Sequence, residues 1–182
     1  CEMDEVDVQE YSTRIDMQEV EYLDLINSKT PKKDLEEALY DGWDVVNIDS
    51  VNELIESIIC HENEKRNVVE KYLTDLIASH KNGKNNKGKC TSFIIVLQIT
   101  KGGDYKGNKR FEHMLTGMFR ITKDENNSSR AITAIKNRKG IVDKPLYFNF
   151  SNNGKLVFDE KLNQRHEEIE EMSETNNSIL SN

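Results

Sequence analysis

Long apolar runs are missing from this chain. Its 182 residues are 36% hydrophobic, and the mean hydropathy is −0.73. No segment approaches the length that crosses a bilayer, and no signal-peptide pattern opens the chain. We therefore expect no membrane partner, a cytoplasmic location and a chain long enough for one domain with its own core.

Paired cysteines and an excess of positive charge are missing as well. Cys1, Cys60 and Cys90 lie far apart and form no CxxC pair, which argues against a zinc site and against a disulfide framework. Cys90 precedes an apolar run and is predicted to be a small packing residue. The net charge of −8 argues against wholesale wrapping of nucleic acid, so any such contact should be a local basic loop.

Apolar periodicity predicts a mixed set of helices and strands. Amphipathic helices are expected at residues 34–40, with Pro31 in the first turn, and at residues 52–60 and 68–79. The nearly continuous apolar runs at residues 44–49 and 93–97 predict strands that are covered on both faces. Further strands are expected at residues 117–121, 130–135, 146–150 and 156–158, the last two joined by an Asn-Asn-Gly turn.

The two buried strands are followed by polar residues. Asp49 and Ser50 end the first strand, and Gln98 ends the second. A carboxylate at the carboxyl end of a parallel strand faces the crevice where open α/β sheets bind ligands, and it can hold Mg²⁺ through water. The alternative is that Asp49 caps the following helix. Gln98 can contact a phosphate oxygen or satisfy backbone groups at its strand end.

Two segments are basic and rich in glycine and asparagine. Residues 81–89 are more typical of a flexible surface insertion than of a binding site. Residues 100–110 combine cations, three glycines and one aromatic, a composition that can follow a phosphate backbone and stack a base. The candidate DNA-binding residues of this second segment are Lys101, Tyr105, Lys106, Lys109 and Arg110.

A cationic pair follows the strand predicted at residues 130–135. Lys136 and Arg138 are two residues apart, so in an extended segment both would point to one side and could address a single phosphate group. Gly140 permits the turn that follows. A solvated basic end of a hairpin is the other interpretation.

The chain resembles the hexameric RecA-fold ATPases of the RadA and DnaB type. The segments that carry the resemblance stand in the family's order and read VVNIDS at 45–50, FIIVLQITKGG at 93–103, YKGNKRFEHM at 105–114 and AIKNRKG at 134–140, after Glu2-Met3. KNRKG is similar to the KNRFG of RadA and to the KNRxG of DnaB. Lys139 replaces the RadA aromatic and Gln98 replaces its usual His, which favours the DnaB type.

The resemblance implies a role for each matched residue. Glu2 would activate the attacking water, Asp49 would hold Mg²⁺ with Ser50 beside it, and Gln98 would sense the γ-phosphate of ATP. Lys136 and Arg138 would reach the ATP of a neighbouring subunit. The segment 100–110 is similar to the family's DNA-contacting loop.

The resemblance also implies an architecture. It predicts an α/β fold with a RecA-like three-layer core: a mostly parallel sheet, helices on both faces and a C-terminal antiparallel hairpin, incomplete at the N-terminus. The core would span residues 1–160, and residues 161–182, which are acidic and lack an apolar face, would form a disordered tail. The resemblance further implies a homo-oligomer, namely a hexameric ring, that binds single-stranded DNA. Such a ring would act in DNA repair or replication.

No GxxxxGK[ST] phosphate loop occurs in the 182 residues, and its expected place lies before residue 1. We therefore expect no productive ATP binding by this chain alone. Two other functions stay open: a RecA-fold DNA-binding protein without catalysis, and an oligomeric scaffold without nucleotide.

Overall fold

The computed structural model describes Val6 and residues 21–98, 109–123, 129–151, 154–165 and 167–168. The described residues up to Met114 form one compact unit, and those from Leu115 onward form a second. Mixed α/β structure, as expected, is present. The first unit contains α1 (Pro31–Tyr40), β1 (Val45–Ile48), α2 (Val51–Glu62), α3 (Arg66–Lys81), β2 (Ser92–Ile95) and α4 (Lys109–Met114).

The core of the first unit lies between its helices and one face of β1 and β2. Ile48 is buried, and Val46, Phe93 and Ile95 are packed against the same core. The helices contribute their periodic apolar residues, as the sequence predicts. These core residues are Leu35, Leu39, Val51, Leu54, Ile55, Ile58, Val69, Leu73, Ile77 and Phe111.

β1 and β2 are parallel and in register from Val45 opposite Ser92 to Ile48 opposite Ile95. The expectation that both strands are covered on two faces is wrong. Val45 and Ile94 are exposed, as are Asn47 and Val96. The cause is the period of two along a strand: alternate residues face the helices, and among the described residues nothing covers the other side.

A cluster around Lys32 joins the helices of the first unit. Lys32 Nζ forms ion pairs with Glu64 and, at 3.5 Å, with Glu62. Its Nζ also lies 4.9 Å from the centre of the Tyr72 ring. Burial lowers the pKa of Lys32, but the two carboxylates outweigh it, so the net pKa is raised. Burial, together with the Glu36 carboxylate, raises the pKa of Tyr72, whose hydroxyl donates to Glu36 at 2.8 Å.

The segment after α3 is held by hydrogen bonds, although the sequence predicts a flexible insertion. Asn85 Oδ1 accepts from the backbone N–H groups of Lys87 and Lys89, and Asn86 N donates to Tyr40 O at 2.9 Å. Gly42, with φ of +76°, approaches Asn85 so closely that a Cβ would lie 2.8 Å from its Oδ1. Cys90, in contrast to its predicted packing role, is exposed in this segment.

The second unit is a four-stranded antiparallel sheet. Its strands are β3 (Gly117–Lys123), β4 (Arg130–Asn137), β5 (Pro145–Phe150) and β6 (Leu156–Phe158), hydrogen-bonded in that order. The four predicted strands are therefore confirmed. The described residues do not form the predicted mostly parallel sheet with a terminal hairpin. Instead, β3 to β6 pair as successive antiparallel neighbours.

Residues 160–165 are helical and continue the second unit into the segment for which we expect disorder. Asp159 Oδ1 accepts from Leu162 N at 3.1 Å, as a helix cap does. The Asn163 side chain bonds both the N–H and the C=O of Tyr147, at 2.8 and 3.1 Å. The Asn163 side chain thereby supplies hydrogen-bond partners to the backbone of β5 beyond the point where β6 ends. Residues 169–182 lie outside the described residues.

None of the described helices has both the length and the apolar character needed to cross a bilayer.

Candidate functional site

The carboxyl ends of β1 and β2 bring two of the predicted site residues to one edge of the parallel sheet. Asp49 directly follows β1, and Gln98 lies three residues beyond β2. Val96 N donates to Ile48 O at 2.9 Å, and Val51 N donates to Val96 O at 3.3 Å. These bonds join the two strand ends, so the segments that carry Asp49 and Gln98 start from neighbouring positions.

The helix cap at this edge is Ser50 rather than Asp49. Ser50 is buried, and its Oγ accepts from Glu53 N at 3.4 Å. The sequence Ser-Val-Asn-Glu at positions 50–53 has the spacing of a capping box. Asp49 is exposed, and in the described part of the chain its carboxylate makes no hydrogen bond and no ion pair. The carboxylate is therefore available to a ligand, which removes the alternative left open by the sequence.

A lone carboxylate fits one class of metal site better than others. No group of three or more His, Cys, Asp or Glu side chains gathers around a common point within the described ranges. A zinc or calcium site built from protein ligands is therefore not formed by those residues. Mg²⁺ is commonly held by one or two carboxylates together with waters and substrate phosphates. Asp49 fits that arrangement.

Asn52 is a residue of this edge that sequence reasoning missed. It lies in the first turn of α2 and is buried, and its Nδ2 has no hydrogen-bond partner among the residues described. An unpaired buried donor costs about 1–3 kcal/mol, so this amide is a candidate for contact with a ligand. The capping-box spacing could have placed Asn52 in this first turn, but only the structure shows that its donor is buried.

Lys136 and Arg138 lie in the second unit. Lys136 is half-buried in β4 opposite Met118, and Arg138 is exposed in the turn that follows. Because β4 ends at Asn137, strand alternation does not place the two side chains on one side. Arg138 N donates to Thr116 O at 3.2 Å, and Asn137 Oδ1 accepts from Lys139 N at 3.1 Å. A Cβ at Gly140 would contact Asn137 Nδ2, so a larger residue at this position would require the Asn137 side chain to shift.

The predicted DNA-binding segment is described only at its end. Arg110 is exposed on α4, next to buried Phe111, and Lys109 is the first residue of the same helix. Lys101, Tyr105 and Lys106 lie outside the described residues, as does Glu2, the predicted catalytic carboxylate.

Comparison with known proteins identifies no relative: no family model matches the chain, and no curated protein matches it significantly.

Proposed function

We propose that this chain is part of an ATP-dependent DNA translocase or helicase of the RadA and DnaB type. It would couple ATP hydrolysis at subunit interfaces to movement on single-stranded DNA. The observation that carries the proposal is the unengaged Asp49 carboxylate at the carboxyl end of a parallel strand, beside the strand that leads to Gln98. Ligands of open α/β sheets bind at this edge.

Within one subunit, Asp49 would hold Mg²⁺ against the phosphates of ATP, with Ser50 maintaining the turn beside it. Gln98 would contact the γ-phosphate and transmit its loss to the segment 100–110. Glu2 would orient the attacking water. The metal supplies charge neutralisation on the phosphate oxygens.

Between subunits, Arg138 and Lys136 would act on the nucleotide of the neighbouring copy. Arg138 is exposed at the end of β4, and a guanidinium offers the bidentate geometry that suits phosphate. A cation supplied by a neighbour makes hydrolysis dependent on assembly, which is the reason for proposing a homo-oligomeric ring. Only the family resemblance supports a hexameric ring and a role in DNA repair or replication.

The first test compares two aspartates at opposite ends of β1. Asp49→Asn should lower ATP turnover by roughly 100-fold or more, because the metal loses its protein ligand. Asp44→Asn changes an exposed carboxylate just before the same strand and should leave turnover unchanged. The assay requires a form of the protein that contains a GxxxxGK[ST] segment, since these 182 residues contain none. Equal turnover in the two variants would refute the role of Asp49.

The second test asks whether Arg138 acts on a neighbour. Arg138→Ala should lower turnover by about 1,000-fold or more, and the adjacent exposed Lys139→Ala should not. When the inactive Asp49→Asn and Arg138→Ala proteins are mixed, one kind of interface combines an intact Asp49 with an intact Arg138. Turnover should therefore return in part. A mixture as inactive as its components would contradict action between subunits.

A DNA-binding protein without catalysis is the second candidate, favoured by the absence of a phosphate loop from the 182 residues. It predicts that the affinity for single-stranded DNA is the same with and without ATP. The motor predicts that the affinity changes between the ATP and ADP states. Fluorescence anisotropy of a labelled oligonucleotide separates the two.

A further inference from the structure

The segment between α3 and β2 closes on one residue, His80. Gly83 N donates to His80 O at 3.0 Å, and Thr91 N donates to the same oxygen at 3.2 Å. Both ends of residues 83–91, which we call the 83–91 loop, are therefore fastened to one carbonyl group in the last turn of α3. A displacement of His80 breaks both of these bonds at once.

Hydrogen bonds, rather than apolar contacts, hold the 83–91 loop in place. All of its residues are described, and none of them belongs to the hydrophobic core. A bond from Asn86 N to Tyr40 O, at 2.9 Å, also fixes the loop to the end of α1. Segments with few buried apolar contacts open at a lower free-energy cost than the core does. This loop can therefore open while the helices stay folded.

The imidazole of His80 is buried next to the loop. Only 5% of His80 is exposed, and its Nδ1 has no hydrogen-bond partner among the described residues. Thr91, at the end of the loop, is 2% exposed, and its hydroxyl likewise has no partner in that part of the chain. In a protonated imidazole both ring nitrogens are donors, so Nδ1 would carry an N–H group without an acceptor. The closed loop therefore disfavours protonation, whereas water would solvate the cation.

Two charges act on this imidazole from the elements around it. Lys84, in the loop, repels a protonated imidazole, whereas Glu36 of α1 attracts it. β2, which follows the loop, carries no titratable side chain. Burial and then Lys84 outweigh Glu36, so the pKa of His80 is lowered from its ordinary 6.5. Opening of the loop would remove Lys84 from the imidazole, which would then take up a proton more readily.

We propose that His80 is a pH-sensitive latch, which releases the 83–91 loop when its imidazole is protonated while the helices of the first unit stay folded. At neutral pH the latch is closed, and Lys87 Nζ lies 6.0 Å from the centre of the Trp43 ring. As the pH falls below 6.5, the open loop gains on the closed one, because only the open loop lets the cation reach water. The latch requires neither ATP nor DNA, so its failure would leave the proposed function untouched.

Hydrogen exchange of the 182-residue chain, followed by mass spectrometry between pH 8 and pH 5, tests the latch. After correction for the intrinsic exchange rate, the opening constant of residues 83–91 should rise by up to about tenfold for each pH unit below 6.5, until the folded pKa is passed. The N–H groups of α3 around Val69 and Leu73, which are buried in the core, should stay more protected than the loop at every pH.

Trp43, the only tryptophan of the chain, provides a second measurement beside the loop. A Cβ on the neighbouring Gly42 would lie 2.8 Å from Asn85 Oδ1, so the loop lies directly against this part of the chain. Quenching of the Trp43 fluorescence by acrylamide should therefore increase over the same pH range, while the far-ultraviolet circular dichroism stays constant.

His80→Gln should abolish the pH dependence of loop exchange, and His61→Gln, at an exposed histidine of α2, should retain it. Lys84→Gln is a milder change at an exposed residue. It removes the repulsion, so the folded pKa moves toward 6.5 and the rise in exchange becomes smaller. Corrected loop exchange that is independent of pH would overturn the latch, as would a pH dependence that survives in His80→Gln. Loop exchange equal to that of α3 at every pH would also overturn it, because the loop would then open only when the whole unit unfolds.

Discussion

His80 is a buried histidine in the last turn of α3. Its Nδ1 has no hydrogen-bond partner among the described residues, and neither has the hydroxyl of buried Thr91, whose backbone N–H donates to His80 O at 3.2 Å. Burial, and then the charge of Lys84, lower the pKa of His80, while Glu36 opposes them. The imidazole is therefore neutral in the folded chain near pH 7.

We predict that this histidine makes stability depend on pH. Because the folded pKa lies below the ordinary 6.5, the unfolded chain takes up the proton first as the pH falls. The free energy of unfolding should therefore be highest above pH 6.5 and decline as the pH falls from there through the folded pKa. Urea unfolding between pH 7.5 and 5.5 measures the slope.

His80→Gln should flatten that slope, because glutamine does not titrate. His61→Gln, at an exposed histidine of α2, should retain it. An unchanged slope in His80→Gln would show that other groups cause the pH dependence.

The choice between Asp49 and Ser50 shows what the local sequence leaves open. Both residue types cap helices, so the run Asp-Ser before α2 allows either of them to be the cap. The backbone path after β1 places Ser50 at the cap position, and Asp49 remains exposed. The sequence therefore predicts that a carboxylate stands at this strand end, and the three-dimensional path decides that it is available.

At the scale of elements, α4 illustrates how a short helix depends on packing. It has six residues, and an isolated helix of that length is not stable in water. Phe111 is buried in the core of the first unit, with Met114 packed against the same core. These contacts hold the helix that carries exposed Arg110.

We predict that Phe111→Ala lowers the free energy of unfolding of the first unit by about 3–5 kcal/mol, because it leaves a cavity in the core. Val68→Ala, which truncates an exposed apolar side chain on α3, should change it by less than about 0.5 kcal/mol. Chemical denaturation followed by circular dichroism measures both. Similar values for the two variants would mean that α4 is not anchored through Phe111.

The sequence predicted the positions of helices and strands more successfully than which of their faces are covered. The apolar periods indicate α1 to α3 and all six strands, since these periods arise within each element. The coverage of β1 and β2 was predicted wrongly. A run such as Val-Val-Asn-Ile is compatible with burial on one face or on two, and only the neighbouring elements decide which.

At the scale of the whole molecule, the net charge of −8 coexists with two basic segments. Residues 81–89 are held against Tyr40 and Trp43, with Lys87 Nζ 6.0 Å from the Trp43 ring centre. The second segment ends in α4. For the proposed binding of DNA, repulsion by the acidic molecule would make the affinity depend on which of the two segments presents its cations to the phosphates.

We predict that the second segment carries the salt dependence of binding to single-stranded DNA. Changing Lys106, Lys109 and Arg110 together to Gln should reduce the slope of log affinity against log salt by about 0.7 for each phosphate that the protein no longer neutralises. The matched change of Lys84, Lys87 and Lys89 to Gln removes the same charge and should leave the slope unchanged. Anisotropy titrations at several salt concentrations measure the slope. A larger effect of the Lys84, Lys87 and Lys89 substitutions would assign DNA binding to residues 81–89.

The sequence alone determined the positions of the regular elements and of the charged residues at their ends, because these depend on neighbours along the chain. It also determined that the cysteines form no CxxC motif and that no apolar run is long enough to cross a bilayer. The tertiary structure decided the rest: the parallel pairing that brings Asp49 and the segment of Gln98 to one edge, and the antiparallel order of β3 to β6. Strand pairing and coverage depend on contacts between residues far apart in sequence, which local periodicity does not encode.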